Sequence, residues 1–283
     1  MTDIAFTKMH GLGNDFVIID IRDSSLKITA EQARAIANRH TGIGCDQLIL
    51  LEPIADHHPP LAADIFMRIF NADGSEVEAC GNATRCVAEM IILEHSFTKV
   101  KIATVAGTLE AEKLPNGLIA VDMGEPNFNW EEIPLATAAD TLYLNIQAGE
   151  LSNPSAVNIG NPHCIFFVED ASKVALQQLG KNLEQHHLFP ERANISVAEV
   201  KNNQSIYLRV WERGVGITNA CGTAACAAAV AAHRRSLTER DVLVQLEGGS
   251  LNITWKTDNH VVLIGPTETS FQGSFNSKLI RGV

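Results

Sequence analysis

Two cysteines are each followed by glycine and then by small residues: Ala79-Cys80-Gly81-Asn82-Ala83 and Ala220-Cys221-Gly222-Thr223-Ala224. They stand 141 positions apart, about half of the 283-residue chain. A cysteine at a helix start meets the positive end of the helix dipole and amide groups with no acceptor inside the helix. Both favour the thiolate, the reactive form, and can bring a thiol pKa from about 8.5 into or below the neutral range. The glycine lets a ligand approach the backbone closely. The amides of Gly81-Asn82 and Gly222-Thr223 then suit a carboxylate. One such turn on its own reads as a buried cysteine beside a glycine. Two equivalent turns describe a single site with a thiol on each side, suited to removing a proton from one face of a carbon and returning one to the other.

These turns need helices behind them, and helical character is strongest over Gly81 to Glu94 and Cys221 to Arg235, with a surface helix over Thr29 to His40. Each cysteine helix follows a strand and a turn and carries a second cysteine, Cys86 or Cys226, in its second turn. This predicts an internal duplication with one copy per domain. Ala220 to Ala232 is almost entirely Ala, Cys, Gly, Thr and Val, and a helix without a polar face must be buried on all sides. Most of the remaining chain reads as short strands: Phe16–Ile19, Gln47–Leu51, Asp64–Phe70, Val100–Lys113, Leu118–Met123, Leu142–Ile146, Ala156–Ile159, Cys164–Val168, Ile195–Val200, Ile206–Trp211, Val242–Leu246, Leu251–Trp255 and Val261–Ile264. Asn71-Ala72-Asp73-Gly74 reads as a strong turn. The fold class expected is α+β: two similar domains, each a curved, mostly antiparallel sheet wrapped around a central helix. The halves are expected at 1–124, completed by 266–283, and at 125–265.

Composition narrows the function. Hydrophobic residues are 46% and charged residues 19%, as in a folded chain rather than a disordered one. Against 33 Asp and Glu stand only 22 Lys and Arg, a net charge of −11, with no basic stripe for nucleic acid. No apolar run approaches the ~18 residues that cross a bilayer. Met1 to His10 lacks a secretion signal, so the expected location is the cytoplasm. There, six cysteines read as reduced thiols rather than a disulfide framework, and no pair has metal-site or redox-motif spacing. Cys45, Cys86, Cys164 and Cys226 are assigned to packing. No pyridoxal-lysine motif, Walker loop or dinucleotide fingerprint occurs, since Gly11-Leu12-Gly13 lacks the third glycine and the helix. Neither a cofactor nor a metal is expected.

Further blocks surround the two turns: Met9-His10-Gly11-Leu12-Gly13-Asn14-Asp15-Phe16, Gly42-Ile43-Gly44-Cys45-Asp46-Gln47 and Phe70-Asn71-Ala72-Asp73-Gly74-Ser75-Glu76. Ala79 to Cys86, Gly160-Asn161-Pro162-His163, Glu212-Arg213-Gly214-Val215-Gly216 and Ala220 to Cys226 complete the set. In this order the blocks resemble diaminopimelate epimerase along essentially the whole chain. The resemblance implies a cofactor-independent epimerase interconverting LL- and meso-2,6-diaminopimelate, in lysine and peptidoglycan-precursor biosynthesis, with its site between two similar domains. It implies Cys80 and Cys221 as the acid/base pair. It places Asn14, Gln47, Asn71, Asn161, Asn194, Glu212 and Arg213 at substrate-binding positions, beside the amides of Gly81, Asn82, Gly222 and Thr223. His163 and Glu212 match positions that tune the cysteines. A guanidinium at Arg213 can hold a distal carboxylate through two hydrogen bonds. The partner expected is the small-molecule substrate, with no nucleic acid or membrane, and a homodimer is compatible with this.

Proline and hydroxyproline racemases of the same superfamily also use two cysteines, but their substrates lack a second amino-acid end, for which the Asn71, Asn161 and Glu212-Arg213 blocks provide. A thiol redox or metal-binding protein built on Cys80 and Cys221, or a non-catalytic binding module, are the readings from other classes. A bound metal would favour the former, and the latter leaves both Cys-Gly turns without a purpose.

Overall fold

Apolar runs that do not alternate, such as Phe16-Val17-Ile18-Ile19 and Leu48-Ile49-Leu50-Leu51, belong to strands covered on both faces. In the computed structural model, which describes residues 3–56 and 62–280, all eight of these side chains are buried. The chain divides into two compact units, Met1–Val121 with Gly265–Val283, and Asp122–Ile264. Positions 1–2, 57–61 and 281–283 of the expected N-terminal half lie outside the described residues.

The first unit runs β1 (Asp3–Gly11), β2 (Asn14–Asp20), α1 (Ala30–Ala37), β3 (Gln47–Glu52), β4 (Ile65–Asn71), β5 (Glu76–Val77), α2 (Gly81–His95), β6 (Lys99–Thr104), β7 (Gly107–Lys113) and β8 (Ile119–Asp122). The second runs β9 (Gln147–Ala148), β10 (Leu151–Ser152), β11 (Ser155–Asn158), β12 (Pro162–Val168), α3 (Leu176–Glu184), β13 (Asn194–Asn202), β14 (Ser205–Glu212), β15 (Gly216–Thr218), α4 (Gly222–Arg234), β16 (Asp241–Leu246), β17 (Gly249–Trp255) and β18 (Val261–Gly265). A last strand, β19 (Glu268–Asn276), returns to the first unit along β1.

The two units share one wiring diagram. In the first, β1 is antiparallel to β2, β2 parallel to β3, β3 antiparallel to β4, β4 antiparallel to β5 and parallel to β6, and β6 antiparallel to β7. The second repeats these senses strand for strand through β11, β12, β13, β14, β15, β16 and β17. Helix α1 fills the crossover that α3 fills in the second unit, and α2 the crossover that α4 fills. The chain is an internally duplicated α+β protein with mostly antiparallel strands.

Helix α4 is the inner element of its unit. Ala224 to Ala232 are all buried, and the helix touches β11, β12, β13, β14, β16 and β17. Alanine side chains let that many strands come close. Helix α2 is buried over Gly81 to Ala88 and at Ile91 and Ile92, against β1, β2, β6 and β7. On the opposite face of the first sheet, α1 places Ala33 and Ile36 against Val17, Ile19, Leu48 and Leu50. On the second, α3 places Leu176 and Leu183 against Cys164, Phe166, Ile195 and Val197.

Several local expectations are corrected. Leu142–Ile146 is not a strand: Leu144 N–H donates to the Pro154 carbonyl at 2.8 Å and Ile146 N–H to the Leu144 carbonyl at 2.9 Å. Its alternation records the burial of Leu144 and Ile146 in the core, not a ladder. The surface helix begins at its Thr29 capping box but stops at Ala37, because Asn38 leaves the helical region and its Oδ1 accepts from the His40 and Thr41 amides. Val100–Lys113 breaks into β6 and β7 around Val105-Ala106. Helix α3 and strands β1 and β19 have no counterpart among the expected elements.

Candidate active site

The duplicated wiring brings the singled-out residues to equivalent ends of equivalent strands. In the first unit Asn14 opens β2, Gln47 opens β3 and Asn71 closes β4, with Gln47 directly opposite Asn71 in the ladder. In the second, Asn161 and His163 flank the start of β12, Asn194 opens β13 beside His163, and Glu212 closes β14. Cys80 and Cys221 are the N-cap residues of α2 and α4, each in extended backbone, with φ of −148° and −131°. The first amides of each helix therefore lie just beyond a thiol.

Around Cys80 two side chains converge, those of Asn14 and Asn82. Asn82 Nδ2 donates to Asn14 Oδ1 at 3.1 Å, and Cys80 Sγ lies 4.0 Å from the same oxygen. The orientation of that amide is settled by Asp46, whose Oδ2 accepts from Asn14 Nδ2 at 3.0 Å. A carboxylate only accepts, so the Asn14 oxygen must face the thiol. Arg39 holds Asp46 at 2.7 Å and Asp15 at 2.6 Å. Burial alone would raise the Asp15 carboxyl, but hydrogen bonds from Arg39 and Lys8, and their charges, hold it well below the usual carboxylate range. Nearby, Gln47 Nε2 donates to Asn71 Oδ1 at 3.1 Å.

Around Cys221 the contacts differ. Its Sγ is 3.5 Å from Thr223 Oγ1. Thr218 donates its hydroxyl to Glu212 Oε1. Asn194 is buried, donates to the Pro162 carbonyl at 3.1 Å and accepts from the Arg213 amide at 2.9 Å. The Arg213 guanidinium donates to the Glu191 carbonyl at 3.1 Å. His163 Nε2 lies 2.7 Å from Asn161 Oδ1, so that nitrogen carries the proton. Complete burial, with the Arg213 charge adding to it, pushes His163 down to about 3, so it is neutral at physiological pH. Any effect of His163 on a neighbour is that of a dipole, not of a cation.

The remaining cysteines are buried. Burial pushes Cys45 up to about 11, Cys86 up to about 12 and Cys164 further still. Cys226 is fully buried within α4. Among the described residues no group of three His, Cys, Asp or Glu is placed to hold a metal ion, and no helix is long and apolar enough to cross a membrane. A surface depression lined by Asp170, Ser172, Glu199, Lys201, Tyr207 and Gln245 contains none of the singled-out residues.

Three residues that the motifs did not mark hold neighbouring residues within their own unit: Asp46 accepts from Asn14, Thr218 donates to Glu212, and Glu184 accepts from the amide of Gly214, which follows Arg213. Asp46 directly precedes Gln47 in the Gly42 to Gln47 motif, and that neighbourhood is its signal in the sequence. Glu184 lies in a stretch with no motif.

Residues 6–129 and 155–270 match the family described as diaminopimelate epimerase. The diaminopimelate epimerase of Rhodospirillum centenum is 51% identical over 277 residues, covering 98% of this chain and 94% of that protein. That of Erythrobacter litoralis is 53% identical over 274 residues, covering 96% and 97%. A solved structure of a Bacillus anthracis phenazine biosynthesis protein of the PhzF family aligns with a TM-score of 0.67 at 17% identity, over 98% of this chain and 100% of that one, a likeness of fold alone.

Proposed function

The chain belongs to the diaminopimelate epimerase family and interconverts LL- and meso-2,6-diaminopimelate, and from that premise we propose that Cys80 and Cys221 are its acid/base pair. The observation that supports this is their equivalence: each caps the inner helix of one copy of a duplicated unit, with glycine next. One sulfur, as thiolate, takes the α-proton, and the other, as thiol, supplies a proton to the opposite face of the planar carbanion. The roles exchange for the reverse reaction. An α-proton is very weakly acidic, so the carbanion needs preorganised donors. The first-turn amides Gly81-Asn82 and Gly222-Thr223, directed at the α-carboxylate, supply them. No cofactor takes part in this scheme.

For the remaining substrate contacts we propose the polar residues at the strand ends: Asn14, beside Cys80, with Gln47 and Asn71 from one unit, and Asn161, Asn194, Glu212 and Arg213 from the other. Arg213 supplies a planar pair of donors for the distal carboxylate, and Glu212, an acceptor only, suits an ammonium group. His163, neutral, sets the Asn161 amide. We place the enzyme in the cytoplasm, serving lysine and peptidoglycan-precursor synthesis. We assign it a homodimeric state, which the largely exposed β19 with half-exposed Phe271 favours, and sedimentation at the mass of one chain would refute it. The two-base scheme is tested by incubating the protein with LL-diaminopimelate in deuterated water. Deuterium must enter the α-carbon of the meso product as it forms, and protium retained there would exclude two separate acid/base groups.

A further inference from the structure

Glu184, the last residue of α3, is 4% exposed. A buried carboxyl group is costly unless its oxygens find donors, and this one has two N–H partners. Oε2 accepts from the Trp211 indole at 2.8 Å, and Oε1 from the Gly214 amide at 3.1 Å. Arg192 lies 3.6 Å away on the exposed side. An apolar side chain could fill the same space, but it could not hold Gly214. Gly214 belongs to the turn between β14 and β15 and directly follows Arg213, in a left-handed conformation with φ of 76°. The segment leaving α3 grips the same turn: the Glu191 carbonyl accepts from the Arg213 guanidinium, and Asn194 from its amide. Trp211 lies so close to α3 that a Cβ on Gly180 would come within 2.4 Å of its ring.

The duplication supplies an independent parallel. In the first unit α1 occupies the place of α3, and the turn after β4 occupies the place of the turn after β14. There Arg34 of α1 donates to the Asp73 carbonyl at 2.9 Å, and Gly74 packs so tightly that a Cβ would lie 2.3 Å from the Ala30 carbonyl oxygen. Both units brace this turn from the equivalent helix, with polarity reversed: a cation on a carbonyl in one, a carboxyl group on an amide in the other. Only the second turn presents a guanidinium that must be aimed.

We infer that Glu184 is a positioning residue that fixes the turn carrying Arg213, and so sets the grip on the distal carboxylate of diaminopimelate. This rests on the assignment of Arg213 proposed above. Glu184→Gln keeps the shape but turns an NH2 group toward one of the two N–H donors. Because the brace serves binding and not proton transfer, KM should rise about 10-fold, kcat should stay within about 3-fold, and the pH profile of kcat should not move. The decisive measurement is a double-mutant cycle with Arg213→Lys. In the Glu184→Gln background the Arg213→Lys effect on KM should largely disappear. Additive effects, or a wild-type KM in Glu184→Gln, overturn the inference. Should Gln at 184 prevent folding, Glu184→Asp, which retains the carboxyl group but withdraws both oxygens, is read by the same cycle. Failure of the underlying assignment looks different: Arg213→Lys alone would then leave KM unaltered, which removes Arg213 and the brace together.

Discussion

At the scale of single residues, the proposed chemistry needs two sulfurs and tolerates the loss of the others. Cys80→Ala and Cys221→Ala should each abolish epimerisation while leaving circular dichroism unchanged, since both side chains stand at helix starts, not in the packed middle. Near-normal turnover in either variant would disprove the two-base assignment. Cys86→Ala and Cys226→Ala should stay active, with a packing cost of about 1 kcal/mol. Arg213→Lys preserves the charge and loses the planar fork, so kcat/KM should fall roughly 10-fold or more, equivalent to about 1.4 kcal/mol. Unchanged kinetics with diaminopimelate would take Arg213 out of the site.

At the scale of elements, the helices do two jobs. Helices α2 and α4 present a thiol and then a row of amides, while α1 and α3 brace the turns that end β4 and β14. Gly180 shows how closely the second pair is fitted. Its missing Cβ is what lets the Trp211 ring come this close to α3. Gly180→Ala should therefore force the ring aside, at a cost of about 1–3 kcal/mol as in other overpacked sites. A lowered thermal midpoint together with altered tryptophan emission is the expected result. An unchanged emission spectrum would mean that the indole does not pack where α3 holds it.

For the molecule as a whole, acid should be destabilising, and His163 is one reason. A histidine in an unfolded chain titrates near 6.5, whereas burial pushes His163 down to about 3. Between these values the unfolded chain binds a proton that the folded chain refuses. The stability this represents is intact above pH 6.5 and drains away as pH falls towards 3. The Asp15 carboxyl, held low by Arg39 and Lys8, adds a loss of the same sign at more acid pH. Urea unfolding measured at a series of pH values should give His163→Gln a shallower decline between pH 6.5 and 4, by up to about one proton's worth of slope. Parallel curves would show that His163 has the same protonation in both states.

How much of this was legible along the chain depends on how local each cause is. Buried strands such as Phe16–Ile19 and Gln47–Leu51 announce themselves because two covered faces demand an unbroken apolar run. The inner helices announce themselves because only small residues permit strands on every side, and the repeated Ala-Cys-Gly marks a duplicated helix start. Where the cause was distant, the residues were silent or misleading. Leu142–Ile146 alternates like a strand, yet its amides are satisfied by irregular loop bonds while its leucine and isoleucine fill the core. β19 is too polar to look like a strand and exists because β1 offers it a ladder. The period of α3 is interrupted by Gly180, whose purpose is a tryptophan 31 positions away. Residue types alone name the groups capable of thiol chemistry and of gripping carboxylates. Which amide oxygen faces Cys80, and which carboxyl group holds the Arg213 turn, are decided by strand register and helix placement, because a hydrogen bond needs its partners within about 3 Å, and only the tertiary fold brings residues so far apart in sequence that close.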